Sequence, residues 1–535
     1  MRRHAGSGIV PPYRHAGSGP RRLLLLLALA GLVLGYHFAL LAPHAVVPLL
    51  VPVAILAGLV IWALPDMRSA PEKPLSSLLL AFLVALPLWP NYLAIALPGL
   101  PWITVLRIIS VPMILLLLIC LSVSPGFRQR TAESAAAIAP VSKLLMLFVL
   151  LQIASLVPAI LTGGGVGESI EALVLAQMNW TAIFFLSAYI SLRPGWPFHV
   201  VYALIAVAAP LCLVGMQEAR IGAVPWAGHI PAFLKIEDPL VQRVLGGSAR
   251  AATGIHRVQA TYTTSLGFAE FLALMTPFVL HIAVRGERFW ARLAAIALLP
   301  LLFWVIMLTD SRLGVVGYLL SCLFYLFIHG MLKWRSDKRS LIGPAIVLSY
   351  PALFAGFLIS TFFVPRLSRM VWGGGAASYS TQARIDQWDR GLDLLAANPL
   401  GYGIGRGGIT LGYVNQAGQG TIDSYFLLIL LEYGVVGFAL FFGLFALAVW
   451  KGAKAIFDYR PDGEESLLVP LTITLANWIV VKSIFAQPDN NPIIFAMLGM
   501  MSALIWRASV KAPSPARRAG SGGRPSILRG QRQIA

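Results

Sequence analysis

Apolar residues run in blocks of about twenty along most of this chain, near 23 to 41, 46 to 64, 77 to 89, 103 to 124, 141 to 161, 173 to 192, 198 to 216, 265 to 284, 291 to 309, 313 to 331, 341 to 363, 424 to 450, 466 to 486 and 492 to 508. At 1.5 Å rise per residue, such a block matches the roughly 30 Å hydrocarbon core of a bilayer. Lipid leaves no partner for an unpaired N–H or C=O, so the blocks predict helices. The expected fold class is an all-α, polytopic transmembrane helix bundle of about 14 spans, with two long extracytoplasmic loops that contain short helices. The third block is short and is interrupted by Pro87, with Pro90 just beyond it.

Composition agrees. Of 535 residues 58% are hydrophobic and 12% charged, so a water-soluble globular domain would lack the polar surface to cover itself. The formal charge of +19 does not point to nucleic acid, because the cations are spread over short loops between apolar blocks rather than gathered in a folded domain. Cys120, Cys212 and Cys322 all fall inside apolar blocks, where a thiol behaves as a small hydrophobe. Neither a disulfide nor a metal site is expected from them, and no cofactor is implied.

Most of the 41 Lys and Arg fall in one set of alternate loops if the N-terminus is cytoplasmic. That orientation puts both basic ends inside and divides the chain into a basic arm (1–22), N-terminal helices (23–216), a first long outer loop (217–264), central helices (265–363), a second long outer loop (364–423), C-terminal helices (424–508) and a basic tail (509–535). Because a second apolar block follows the first, the first reads as a retained anchor. Both ends are rich in Gly, Ser and Arg, a composition that predicts disorder.

The two outer loops nevertheless carry Arg220, Lys235, Arg243, Arg257, Arg384, Arg390 and Arg406. Cations placed against the charge bias suit an anionic ligand on the outer face, although long loops also translocate regardless of charge. Within the second loop, Ile385, Trp388, Leu392 and Leu395 recur at helical spacing beside Asp386, Asp389, Arg390 and Asp393, predicting an amphipathic interfacial helix that Asn398-Pro399 ends. The following Gly401-Tyr402-Gly403-Ile404-Gly405-Arg406-Gly407-Gly408 reads as a mobile segment. It matches Gly-x-Gly-x-x-Gly formally, but with neither a preceding strand nor a crossover unit it is not a dinucleotide site. Two readings stay open for it: backbone N–H groups offered to a phosphate, or a flexible return into the membrane.

Asp310-Ser311-Arg312 sits at the outer junction of two blocks, where an arginine is costly unless it is paired or lines a wet cavity. His256-Arg257 closes the first loop on the same expected surface; His256 by itself reads as solvated. Asp423 opens the next block, as a proton acceptor or as a helix N-cap, and Glu432 deeper in that block reads as structural.

Four stretches together, Arg257-Val258-Gln259-Ala260-Thr261-Tyr262, Thr309-Asp310-Ser311-Arg312-Leu313-Gly314, Asn398-Pro399-Leu400-Gly401-Tyr402-Gly403-Ile404-Gly405, and Asp423-Ser424-Tyr425 with Leu431-Glu432-Tyr433-Gly434, resemble the O-antigen ligase and polymerase superfamily in content and order. The resemblance implies a glycosyltransferase on the outer face of a bacterial inner membrane, acting on glycans carried by undecaprenyl diphosphate, with a flippase and a chain-length regulator as partners. It implies that Arg257 and Arg312 bind the diphosphate, assisted by Arg384 or Arg406. Ser311 and Arg220, on the same expected face, complete the substrate-binding candidates. Ligases of the family place a histidine where Asp423 stands here, a departure that favours a polymerase over a ligase. A lipid-linked glycan transporter, which would also have many spans, is the remaining alternative; no internal repeat supports it.

Overall fold

A computed structural model of the chain describes residues 31, 47–67, 70–96, 102–162, 165–249, 256–363, 368, 378–414, 420–459 and 461–511. The basic arm, the block at 23 to 41 apart from Gly31, and the tail beyond 511 lie outside the described residues. In chain order the helices are α1 (Val47–Ala63), α2 (Glu72–Leu88), α3 (Val105–Val123), α4 (Pro125–Ala137), α5 (Ala139–Ala154), α6 (Val157–Thr162), α7 (Val166–Ile190), α8 (Trp196–Ile221), α9 (Pro239–Leu245), α10 (Ser265–Arg285), α11 (Phe289–Leu308), α12 (Arg312–Ser336), α13 (Ile342–Phe363), α14 (Ser378–Ala397), α15 (Gly407–Leu411), α16 (Tyr425–Tyr459), α17 (Leu468–Lys482) and α18 (Asn491–Lys511).

The molecule is an all-α polytopic bundle, as the pattern predicts. Among the described residues, ten helices are long and apolar enough to cross a membrane, or eleven if α4 and α5, bent 107° against each other, count as one broken span. That is fewer than the expected fourteen. One expected span lies outside the described residues, and two others form α1 and α2, each 17 residues long. Seventeen residues make about 26 Å of helix, a little short of the hydrocarbon core.

Helix ends alternate between two faces. At one face Thr261 Oγ1 donates to the Pro87 carbonyl at the end of α2 (2.6 Å), Ser424 Oγ to Ser483 O beyond α17 (2.7 Å), and Asn491 Nδ2 to the Tyr425 hydroxyl (2.9 Å). At the other, Arg507 near the end of α18 pairs with Glu464 (2.7 Å) and Glu465 (2.9 Å) just before α17, and Glu464 accepts the Gly195 N–H before α8 (3.1 Å). All three charged side chains are buried, so their mutual pairing keeps each from costing several kcal/mol alone.

Helices α10, α17 and α18 are buried along most of their length and form the centre. Lipid supplies no hydrophobic drive for one helix to find another, so close approach of small residues and interhelical hydrogen bonds carry the packing. Gly314 and Gly317 of α12 lie directly against Ala269 and Ala273 of α10, and Asn477 of α17 donates to Gly317 O (2.8 Å) and Ser321 Oγ (2.9 Å). Phe441 of α16 fills the space between Phe148, Tyr425, Trp478 and Phe495. Two short ribbons, β1 (Ala94–Ile95) with β2 (Ile103–Thr104) and β3 (Ser248–Ala249) with β4 (His256–Arg257), belong to the loops of the first face. There Tyr92, Ile236, Val241 and Leu245 form a small apolar cluster outside the bundle.

Candidate functional site

Arg257 is held by a clip that the sequence alone does not reveal. Glu218, fully buried near the end of α8, accepts the backbone N–H of Gln259 (3.2 Å) and of Ala260 (2.7 Å), while His256 Nε2 lies 2.9 Å from its Oε1. His256 is therefore an anchor rather than a solvated residue. Ala260 takes φ 48° to turn both N–H groups onto one carboxylate, a backbone state that non-glycine residues rarely adopt.

The clip presses residues 257 and 258 onto the end of α11. Val258 N–H donates to Leu308 O (3.3 Å), and Arg257 Nε donates to Thr309 O (3.1 Å). Thr309 begins the Thr309-Asp310-Ser311-Arg312 corner, in which Asp310 has φ 49° and Ser311 Oγ caps α12 by accepting the Gly314 N–H (3.1 Å). Arg312 is the first residue of that helix. Arg257 and the Arg312 corner thus meet at one point, although the two stretches come from different loops.

Asp423 stands at the start of α16 but does not cap it. That role falls to Ser424, whose Oγ accepts the Leu427 N–H (3.4 Å). The Asp423 backbone N–H is taken by Gln387 Oε1 of α14 (2.9 Å), and its carboxylate faces Arg384 of the same helix, with Nε to Oδ2 at 4.0 Å. The predicted amphipathic helix therefore exists, and it delivers Arg384 to Asp423. Burial pushes the Asp423 carboxyl above the usual carboxylate range, and the Arg384 charge opposes that rise.

A second carboxylate escaped the sequence reading. Residues 483–490 join α17 to α18, and Asp489 in that connection accepts from Thr263 Oγ1 (3.5 Å), while Asn490 Oδ1 accepts from the Tyr262 hydroxyl (3.0 Å). Burial raises the Asp489 carboxyl too, against the opposing charge of Lys482. Lys482 is buried, pairs with Glu270 (2.9 Å), lies over the Tyr425 ring (5.0 Å) and donates to Gln487 O. A paired lysine at this depth fixes the turn that carries Asp489. The turn bridges both halves of the site, since Asn490 bonds Tyr262 and Asn491 bonds Tyr425. The run Gln487-Pro488-Asp489-Asn490-Asn491-Pro492, dense in polar residues between two apolar blocks, is the signal that would have found it.

The glycine segment is not the mobile ligand cradle its composition suggests. Gly434 breaks α16 with φ 66° and ψ −169°, freeing the carbonyls of Leu431 and Glu432, which accept the N–H groups of Tyr402 (2.7 Å) and Gly403 (3.0 Å). Glu432 Oε1 takes the Gly405 N–H (3.1 Å), which gives that carboxyl the structural role expected of it. Gly401, Gly403 and Gly405 all have positive φ, and a Cβ at Gly401 or Gly403 would meet backbone atoms within 2.7 Å. The glycines seat this segment against its own protein. Arg406 is consequently turned toward Gly165, at the start of α7, where its guanidinium occupies the space a Cβ would need. Arg220 is exposed in the last turn of α8, two residues beyond Glu218.

Fold and site together define a multi-pass membrane protein with arginines and carboxylates from separate loops drawn to one end of the bundle. Residues 297–442 match the family model described as O-Antigen ligase, a stretch that runs from within α11 through the Arg312 corner, α14 and Asp423 into α16. The match supports the resemblance to the O-antigen ligase and polymerase superfamily over the Arg312, glycine-segment and Asp423 stretches, while the Arg257 stretch lies outside it. No curated protein matches the chain.

Proposed function

We propose that the chain polymerises oligosaccharide units linked to undecaprenyl diphosphate on the outer face of the inner membrane. The observation that carries this reading is the Arg257 Nε to Thr309 O bond, which brings two distant arginine motifs to one corner. An acceptor sugar hydroxyl attacks the anomeric carbon of the donor, the bond from that carbon to the diphosphate oxygen breaks, and undecaprenyl diphosphate leaves with the electron pair. Arg257 and Arg312 stabilise the negative charge on the leaving oxygen, with Arg384, Ser311 and Arg220 along the glycan path. Asp423 takes the hydroxyl proton, and Asp489 at the same end is the competing acceptor. Arg406, packed on Gly165, holds the glycine segment in place.

Purified enzyme supplied with lipid-linked units should give a ladder of longer glycans. Arg257→Ala and Arg312→Ala should each lower the rate by about a hundredfold or more at normal protein level, the usual cost of removing one charge-stabilising donor. A normal ladder from both variants would refute the assignment. The matched family description favours a second reading, transfer of the finished glycan to lipid A core, and product on that acceptor but none on a second lipid-linked unit would decide for it.

A further inference from the structure

At the end of the bundle remote from Asp423, a cavity of about 640 Å³ opens between the first turn of α2, the start of α4 and the end of α7. Pro87, at the far end of α2, is the residue bonded to Thr261 beside the candidate site, so cavity and site lie at opposite ends of one helix. Helix α2 puts about 25 Å between them. Three cations line the cavity, Lys73, Arg130 and Arg193, against a single carboxylate, Glu72. Glu72 is already engaged, since Arg193 pairs with it and the Tyr189 hydroxyl donates to it. Lys73 and Arg130 are exposed at the rim, and Arg130 reaches the Tyr189 hydroxyl, so the cavity holds an excess of positive charge. Helix α4, whose start lines the cavity, turns 107° away from the apolar helix α5 that follows it. Cations scattered by topology alone would be solvated singly, whereas these converge on an open volume.

We propose that this cavity is an anion site that takes a phosphate group, supplied by an anionic lipid headgroup or by a soluble phosphate. Basic pockets between helices at the membrane surface recognise phosphates of this kind, each Lys or Arg contributing on the order of fivefold in affinity. The site is separate from the transferase chemistry and does not rest on it.

The test uses the full chain in nanodiscs of phosphatidylcholine alone, of phosphatidylcholine with cardiolipin, and of phosphatidylcholine with inorganic phosphate in the buffer. Thermal unfolding and native mass spectrometry of retained lipid are read for the wild type and for the Lys73→Gln/Arg130→Gln double variant. Wild type should retain cardiolipin and unfold at higher temperature with it, and the double variant should bind on the order of tenfold to thirtyfold more weakly. Stabilisation by inorganic phosphate that the double variant loses supports the site with a soluble source. Absence of both effects in the wild type, or equal effects in the double variant, overturns the proposal. Should the double variant fail to fold in phosphatidylcholine, Lys73→Gln alone carries the comparison, with a loss of several-fold expected.

Discussion

Asp423 shows most directly how a residue's surroundings set its use. Its carboxyl is raised by burial and held back by Arg384, so once ionised it is a stronger proton acceptor than a solvated aspartate. A base works only when deprotonated, so the rate should climb as pH rises through the raised pKa and fall in acid. Arg384→Gln removes the opposing charge, and the acidic limb of the pH–rate profile should move to higher pH; an unmoved limb would separate Asp423 from proton transfer. Stability runs the other way. A carboxyl raised in the folded state favours folding most when protonated, and that contribution fades as pH rises through the raised value. Asp423→Asn should therefore keep or raise the melting temperature while lowering the rate by about a hundredfold or more. Because Ser424 holds the cap, loss of activity there is not explained by a frayed helix.

At the scale of elements, the break in α16 and the glycine segment act as one unit. A Cβ at Gly434 would lie 2.1 Å from Pro399 O, on a backbone at φ 66° that side chains rarely adopt. Gly434→Ala should cost at least about 1–3 kcal/mol from the backbone conformation alone, read as a lower melting temperature with lost activity. Gly443, on the same helix with nothing within 4 Å of its would-be Cβ, is the control, and Gly443→Ala should be neutral or slightly stabilising. These elements also mark what the sequence makes legible. Apolar length predicted most of the spans, helical spacing predicted α14 and Asn398-Pro399 its end, and the alternation of spans predicted that Arg257 and Arg312 share a surface. Glycine content announced unusual backbone but not its use, because a segment that docks on a helix break and one that cradles a ligand need the same φ. Glu218 and Asp489 went unseen for another reason. Each acts on a segment remote in the chain, and periodicity carries no information about such pairs.

For the whole molecule, the alternation of helix ends sorts the loops into two sets irrespective of charge. The turns at 222–249, 256–264, 309–311 and 483–490 gather with Asp423, while those at 124, 191–195 and 463–467 gather with the Arg507 lock. The charge bias independently predicts which set faces the cytoplasm: the set holding Lys333, Arg335, Lys338 and Arg339. Substituted cysteines test the joint claim. Gly228, in the first long loop, is exposed with open space around it, and Lys338, between α12 and α13, is exposed as well. The native thiols impose little background, since Cys120 and Cys212 are buried and Cys322 is half-buried within α12. A membrane-impermeant maleimide should label Gly228→Cys in intact spheroplasts and Lys338→Cys only after the membrane is opened. The reverse pattern would put Arg257, Arg312 and Asp423 in the cytoplasm, away from a translocated lipid-linked glycan, and the transferase reading would fail while the bundle itself stood unchanged.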